Sequence, residues 1–234
     1  MKSREGIKKA SSLFFFIGRC VFTPVLWLLY RFKFDKKSSK GITRPCLLLA
    51  NHQTAFDQFA LILGFKFGIN YVATDTLFRH GLLSKIMVTL VRPIPFSKGS
   101  SDLSAVRNMM SVINDGGCVG MFPSGNRSFD GTESTIIPGI GKLAKKFNVP
   151  LVLVQFRGGY NTLPRWKVKP NLGKMTATVT KVLQAEELAV MSYEEIDAVI
   201  KQELYFNEFE YNKKEKIIYR GNKKCEYLES VLFY

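Results

Sequence analysis

From residue 45 onward the chain alternates short apolar runs with stretches of helical periodicity. Five runs, at 45–50, 70–74, 118–122, 150–156 and 175–182, are short and bounded by turn residues, and predict strands. Between them, Leu103, Val106, Met110 and Ile113 recur at helical spacing over 102–114, and Gly116 with Gly117 supplies a stop. A shorter helix is predicted over 139–147, with Lys142, Lys145 and Lys146 on its exposed side. Ser192 and Glu195 form a capping box opening a helix whose Ile196, Val199, Ile200 and Leu204 share one face. This alternation predicts an α/β fold, a mostly parallel central sheet flanked by helices. No internal repeat or low-complexity linker divides it. Residues 41–210 therefore read as one domain, with 1–40 an N-terminal helical segment and 211–234 a basic, then aromatic, extension. A peripheral helix fits the extension, and no function is legible there.

The N-terminal segment has its own pattern. Apolar residues fill 13–17 and 21–30, with Lys2, Arg4, Lys8 and Lys9 before them and Arg31, Lys33, Lys36, Lys37 and Lys40 after. A secretory signal needs a small-residue cleavage site behind its apolar core, and none follows. A spanning helix needs about 20 apolar residues, and Arg19 and Pro24 interrupt this stretch. The pattern predicts two short helices lying in the interface or dipping into one leaflet, with lysines at anionic headgroups on the cytoplasmic face of the cell membrane. A true span is the second reading, and a buried helix of a soluble core the third.

Composition narrows the partners. With 234 residues and 46% hydrophobic content the chain can bury a full core, which excludes general disorder. Thirty-four basic against 19 acidic residues give a formal charge of +15, which attracts polyanions: nucleic acid, anionic lipid or phosphorylated ligands. Cys20, Cys46, Cys118 and Cys225 are scattered without a C-x-x-C pair, against a zinc or redox motif. Their apolar surroundings predict mostly buried thiols in a reducing compartment.

Candidate chemistry starts where the first strand ends. Asn51, His52 and Asp57 follow the apolar run 46–50. Residues five apart on a regular helix point about 140° away from each other, so His52 and Asp57 cannot share a helix and touch. A helix starting near Ala55, with Thr54 as N-cap and Asp57 at the third position, removes the conflict. His52 then sits on the preceding turn, where the carboxylate can reach back to an imidazole nitrogen. A carboxylate-oriented histidine is a general base near neutral pH. The alternative is a cap and a turn with no chemistry.

A second segment, Phe122, Pro123, Ser124, Gly125, Asn126, Arg127 and Ser128, follows the apolar run 117–121. Together the two segments resemble the glycerolipid acyltransferase family, which includes the lysophosphatidic acid acyltransferases. That family carries N-H-x4-D and, later in the chain, F-P-E-G-T-R-S. Here Asn51, His52 and Asp57 match the first, and Phe122, Pro123, Gly125, Arg127 and Ser128 the second. Ser124 stands where the family has Glu, and Asn126 where it has Thr. The resemblance covers residues 40–185.

The resemblance implies the family's glycerol-3-phosphate acyltransferase-like fold and membrane-associated O-acyl transfer, from acyl-CoA or an acyl carrier protein to the free hydroxyl of a lysophospholipid. Lysophosphatidic acid is the first acceptor to consider, giving phosphatidic acid, with no metal or cofactor. His52 becomes the base and Asp57 its orienting group, with the hydroxyl supplied by the substrate. Arg127 is the candidate for the acceptor phosphate, and Gly125 lets backbone N–H groups approach. Ser124 and Asn126 belong to the same binding loop. Arg92, in Val91-Arg92-Pro93-Ile94-Pro95-Phe96, is a second phosphate candidate and Lys98 a third. Val149-Pro150 resembles the family's last block, a strand start near the acyl pocket. A plain reading stays open at each: Asn51 a turn residue, Arg127 a loop cation, Val149-Pro150 an ordinary core strand.

Ser124 leaves room for a second hypothesis, a non-catalytic or altered-specificity lipid-binding relative. It is not a nucleophile of the elbow type, since that turn needs Gly two places before and after, where Phe122 and Asn126 stand. A nucleic-acid binder, suggested by charge alone, lacks a recognisable module, so no nucleic acid is expected. His80 is expected to be solvated or a cap.

Overall fold

The computed structural model describes residues 7–74, 92–96, 103–133, 135–222, 225 and 227–229. Its elements run α1 (Ser12–Tyr30), β1 (Lys33–Phe34), β2 (Cys46–Ala50), α2 (Asp57–Ile62), β3 (Ile69–Thr74), β4 (Ile94–Phe96), α3 (Leu103–Asn114), β5 (Cys118–Met121) and β6 (Thr132–Glu133). There follow α4 (Ile140–Phe147), β7 (Leu151–Arg157), α5 (Gly159–Thr162), β8 (Thr176–Leu183), α6 (Ala185–Val190), α7 (Tyr193–Leu204), β9 (Phe206–Asn207) and α8 (Glu208–Glu215).

Seven of the described strands form one sheet in the order β1-β8-β7-β2-β5-β3-β4. Every neighbouring pair is parallel except β7 with β8. β2 lies near the centre and is buried at every position. Successive strand residues point to opposite faces, so β2 feeds two cores. Cys46, Leu48 and Ala50 join the side covered by α1 and α2. Leu47 and Leu49 join the side covered by α3, α4 and α7. A sheet covered on both faces explains why the strands read as unbroken apolar runs.

The expected strands and helices recur with ends shifted by a residue or two, and Ser192 and Glu195 make the capping box in full. The periodicity gave no sign of the short edge strands β1 and β4, nor of the antiparallel β6–β9 pair. Two expectations need correction. The N-terminal segment is one 19-residue helix, not two. Arg19 does not break it, because its guanidinium donates to the Phe65 carbonyl beyond α2. Pro24 sits inside the helix, where it has no N–H to give the ladder. Phe15, Gly18, Leu26 and Tyr30 pack inward, and Phe22 lies on Phe59 with ring centroids 4.6 Å apart. Leu13, Phe16, Val21 and Leu28 are exposed on the outside. α1 is the one helix among the described residues long and apolar enough to cross a membrane. The thiols also divide: Cys46 and Cys118 are buried in register on β2 and β5, whereas Cys20 and Cys225 are exposed.

Candidate active site

Because β7, β2 and β5 are adjacent and parallel, the segments leaving their carboxyl ends emerge at one edge of the sheet, where α/β folds place ligands. Asn51, fully buried, leaves β2 first. Its Nδ2 donates to the Phe156 carbonyl at 2.9 Å, and its Oδ1 accepts from the Phe156 N–H at 2.6 Å. The side chain thus carries the β2–β7 pairing one step past the strand. Asn51→Leu, which keeps the volume and strands both Phe156 groups, should cost about 2 kcal/mol in urea unfolding. An unchanged midpoint would show that Asn51 is only a turn residue.

His52 comes next, its side chain 19% exposed, and Nδ1 lies 2.9 Å from Oδ2 of the fully buried Asp57. The Asp57 carboxylate also accepts from the Gln53 N–H at 2.6 Å, the Thr54 N–H at 2.9 Å and Thr54 Oγ1 at 2.6 Å. A carboxylate so placed only accepts, so Nδ1 of His52 carries the proton and Nε2 the basic lone pair. The expected capping arrangement is half realised. Asp57 reaches back to the Thr54 N–H, but Thr54 Oγ1 accepts from Phe56 at 3.2 Å, and the regular helix starts at Asp57, with Phe56 as its N-cap.

The second loop is fastened to the first. Ser128 N–H donates to the His52 carbonyl at 2.8 Å, and the Phe122 ring stacks on the imidazole at 4.1 Å and 18°. Between them, Gly125 N–H closes a turn on the Phe122 carbonyl at 3.0 Å. Gly125 has φ +69°, and a Cβ there would meet Ile137 at 3.2 Å, so the turn requires glycine. Ser124 Oγ donates to the Asn126 carbonyl at 2.9 Å.

Beside this loop lies a cavity of about 280 Å³, lined by Ser124, residues 126–130, Thr132, Thr135 and Arg165. Arg127 is half-buried there. Its pKa is pushed below the ordinary arginine value, first by burial and then by the charge of Arg165, while Asp57 acts in the opposite sense. That influence of Asp57 ties the cavity electrostatically to the His52 loop. The structure therefore brings His52, Asp57, Ser124, Gly125, Asn126 and Arg127 together at one sheet edge. Arg92 stands elsewhere. It adopts φ +50° and donates through Nη1 to the Lys9 carbonyl at 3.0 Å, bracing the N-terminal segment. Val149 and Pro150 precede β7, so they lie at the edge of the sheet opposite His52. His80 and Lys98 fall outside the described residues.

Sequence reasoning missed a buried polar layer beneath the site. Gln53 Oε1 accepts from the Gly159 N–H at 2.8 Å, and its Nε2 faces Glu208 Oε2 at 3.4 Å. Glu208, fully buried at the start of α8, also accepts from the Gly158 N–H at 3.0 Å and Asn161 Nδ2 at 3.1 Å. Burial pushes the Glu208 carboxyl up to about 7, against the pull of those hydrogen bonds. Nothing local links Gln53 to a partner 155 residues away.

Comparison with known proteins bears on this arrangement. No curated protein matches the sequence. Among solved structures, the fold matches the 1-acyl-sn-glycerophosphate (LPA) acyltransferase PlsC from Thermotoga maritima, with a TM-score of 0.64 and 22% identity over 82% of this chain and 76% of that one. The family model described as Acyltransferase matches residues 31–157, from the end of α1 through β7, and so takes in both loops and more than half of the chain. The chain belongs to the acyltransferase family.

Proposed function

We propose that the protein transfers a fatty acyl group from an acyl thioester, carried by coenzyme A or an acyl carrier protein, to the free hydroxyl of lysophosphatidic acid, giving phosphatidic acid. The observation that carries this reading is the 2.9 Å His52–Asp57 contact on a loop that Ser128 ties to the arginine-bearing turn. His52 Nε2 takes the proton of the acceptor hydroxyl as its oxygen attacks the thioester carbonyl. Asp57 holds the imidazolium that forms. The tetrahedral intermediate collapses, the C–S bond breaks, and the departing thiolate recovers the proton from His52. Arg127 would hold the acceptor phosphate, and so fix the hydroxyl near the base. The exposed apolar side of α1 would lie in an anionic leaflet on the cytoplasmic face, where the protein's +15 charge is attracted to the headgroups.

The test supplies purified protein with lysophosphatidic acid and a labelled acyl thioester in mixed anionic vesicles. Labelled phosphatidic acid is the expected product. Absence of any acylated product across a panel of lysolipids, with both coenzyme A and carrier-protein donors, would overturn the reading.

A further inference from the structure

We propose that Arg165 is a second phosphate-binding guanidinium, and that with Arg127 it makes the cavity select a phosphate monoester over a phosphodiester headgroup. The inference rests on the acyl-transfer reading only for the identity of the lipid that carries the phosphate.

Arg165 lies 38 residues from Arg127 in sequence, on the turn that follows α5. Three contacts keep it at the cavity. Its Nη1 donates to the Arg127 carbonyl at 3.3 Å. Its guanidinium lies over the Phe129 ring, 5.9 Å from the centroid. The turn beneath it is closed by Lys167 N–H donating to the Pro164 carbonyl at 3.1 Å.

Two guanidinium groups on one cavity repel each other; burial lowers the Arg127 pKa most, and the charge of Arg165 lowers it further. Among the described residues neither arginine has a carboxylate within ion-pair distance. Asp130 also lines the cavity, but its Oδ1 accepts from the Thr132 N–H at 2.9 Å and Thr132 Oγ1 at 2.8 Å. At the place where the resembling family carries a glutamate, Ser124 offers no charge and spends its proton on the Asn126 carbonyl. Among the described lining residues, two arginines thus face a single carboxylate, that of Asp130.

A monoester suits that imbalance. Near neutral pH it carries close to two charges on three terminal oxygens, enough for two forks of N–H donors. A phosphodiester carries one charge on two terminal oxygens, which a single arginine satisfies. The second arginine therefore discriminates between headgroups.

The test is calorimetric and needs no turnover. The parent, Arg165→Gln and Arg165→Lys are titrated with sn-glycerol 3-phosphate and, separately, with glycerophosphoglycerol. The parent should prefer the monoester by about tenfold, the scale of one charge-assisted contact. Arg165→Gln should lose about that factor for the monoester and abolish the preference, while Arg165→Lys should recover part of it through charge without the fork. Equal binding of both ligands by the parent would overturn the proposal, as would a glutamine variant that binds the monoester like the parent. If the titrations follow expectation but no lysolipid is acylated, the monoester site stands and the acyl-transfer reading falls. If lysophosphatidic acid is acylated with the same KM by parent and glutamine variant, the assignment of Arg165 falls alone.

Discussion

Replacing His52 by alanine should lower the turnover of acyl transfer at least about a hundredfold, the usual scale for losing a positioned general base, or close to 3 kcal/mol of barrier. The melting temperature should hardly move. The imidazole is not part of the core, and the loop is fastened through the His52 carbonyl, which alanine keeps for the Ser128 N–H. What is lost is the nitrogen proposed to accept the hydroxyl proton, together with the stack on Phe122. Steady-state rates with lysophosphatidic acid and a labelled thioester measure the loss. A variant within tenfold of the parent would mean that the proton leaves by another route. Asp57→Asn is a less specific probe. Its amide would set two N–H donors among the Gln53, Thr54 and His52 donors that now converge on the carboxylate, so rate and loop geometry would fall together. The alanine variant separates chemistry from folding, and the asparagine variant does not.

The central sheet and the His52–Asp57 contact were legible because both follow from local pattern. Unbroken apolar runs between helical stretches specify a covered parallel sheet, and a histidine five places before an acidic helix-start residue specifies a turn that can close on itself. What stayed hidden depends on contacts between distant residues. Arg165 reaches Arg127 only because α5 follows directly on β7, beside β2. Gln53 meets Glu208 only because α8 returns under the site after 155 intervening steps of chain. The family resemblance, through a basic residue in its middle block, made Arg92 a candidate for the acceptor phosphate. Its left-handed backbone and its bond to the Lys9 carbonyl instead serve the N-terminal segment. The unbroken α1 was illegible for a related reason: Arg19 interrupts an apolar stretch only if its charge has nowhere to go, and the acceptor, the Phe65 carbonyl, lies in the loop after α2.

Glu208 should make the fold lose stability as pH rises from about 4.5 to about 7. Its carboxyl is held up to about 7 against an ordinary 4.5. Below pH 4.5 it is protonated whether the chain is folded or not, and its favourable contribution is complete. Between 4.5 and 7 the unfolded chain gives up the proton while the folded chain keeps it, so folding weakens with each step of pH. Above 7 both states are ionised and the loss is finished, at about 3 kcal/mol for a shift of this size. The direction is opposite to that of Asp115 and Asp130, whose carboxyls are held below their ordinary value, chiefly by backbone hydrogen bonds from Lys9 and Thr132, and which act at lower pH. Urea unfolding of the parent and Glu208→Gln across this range isolates the effect. The amide does not titrate, and its mismatch with the donors at Gly158 and Asn161 adds only an offset that is constant with pH. The difference in stability between parent and variant should shrink, or turn further against the parent, by about 3 kcal/mol from pH 4.5 to 7.5. A difference that stays flat would mean that hydrogen bonds from Gly158, Asn161 and Gln53 cancel the burial penalty, leaving an ordinary carboxylate beneath the His52 loop.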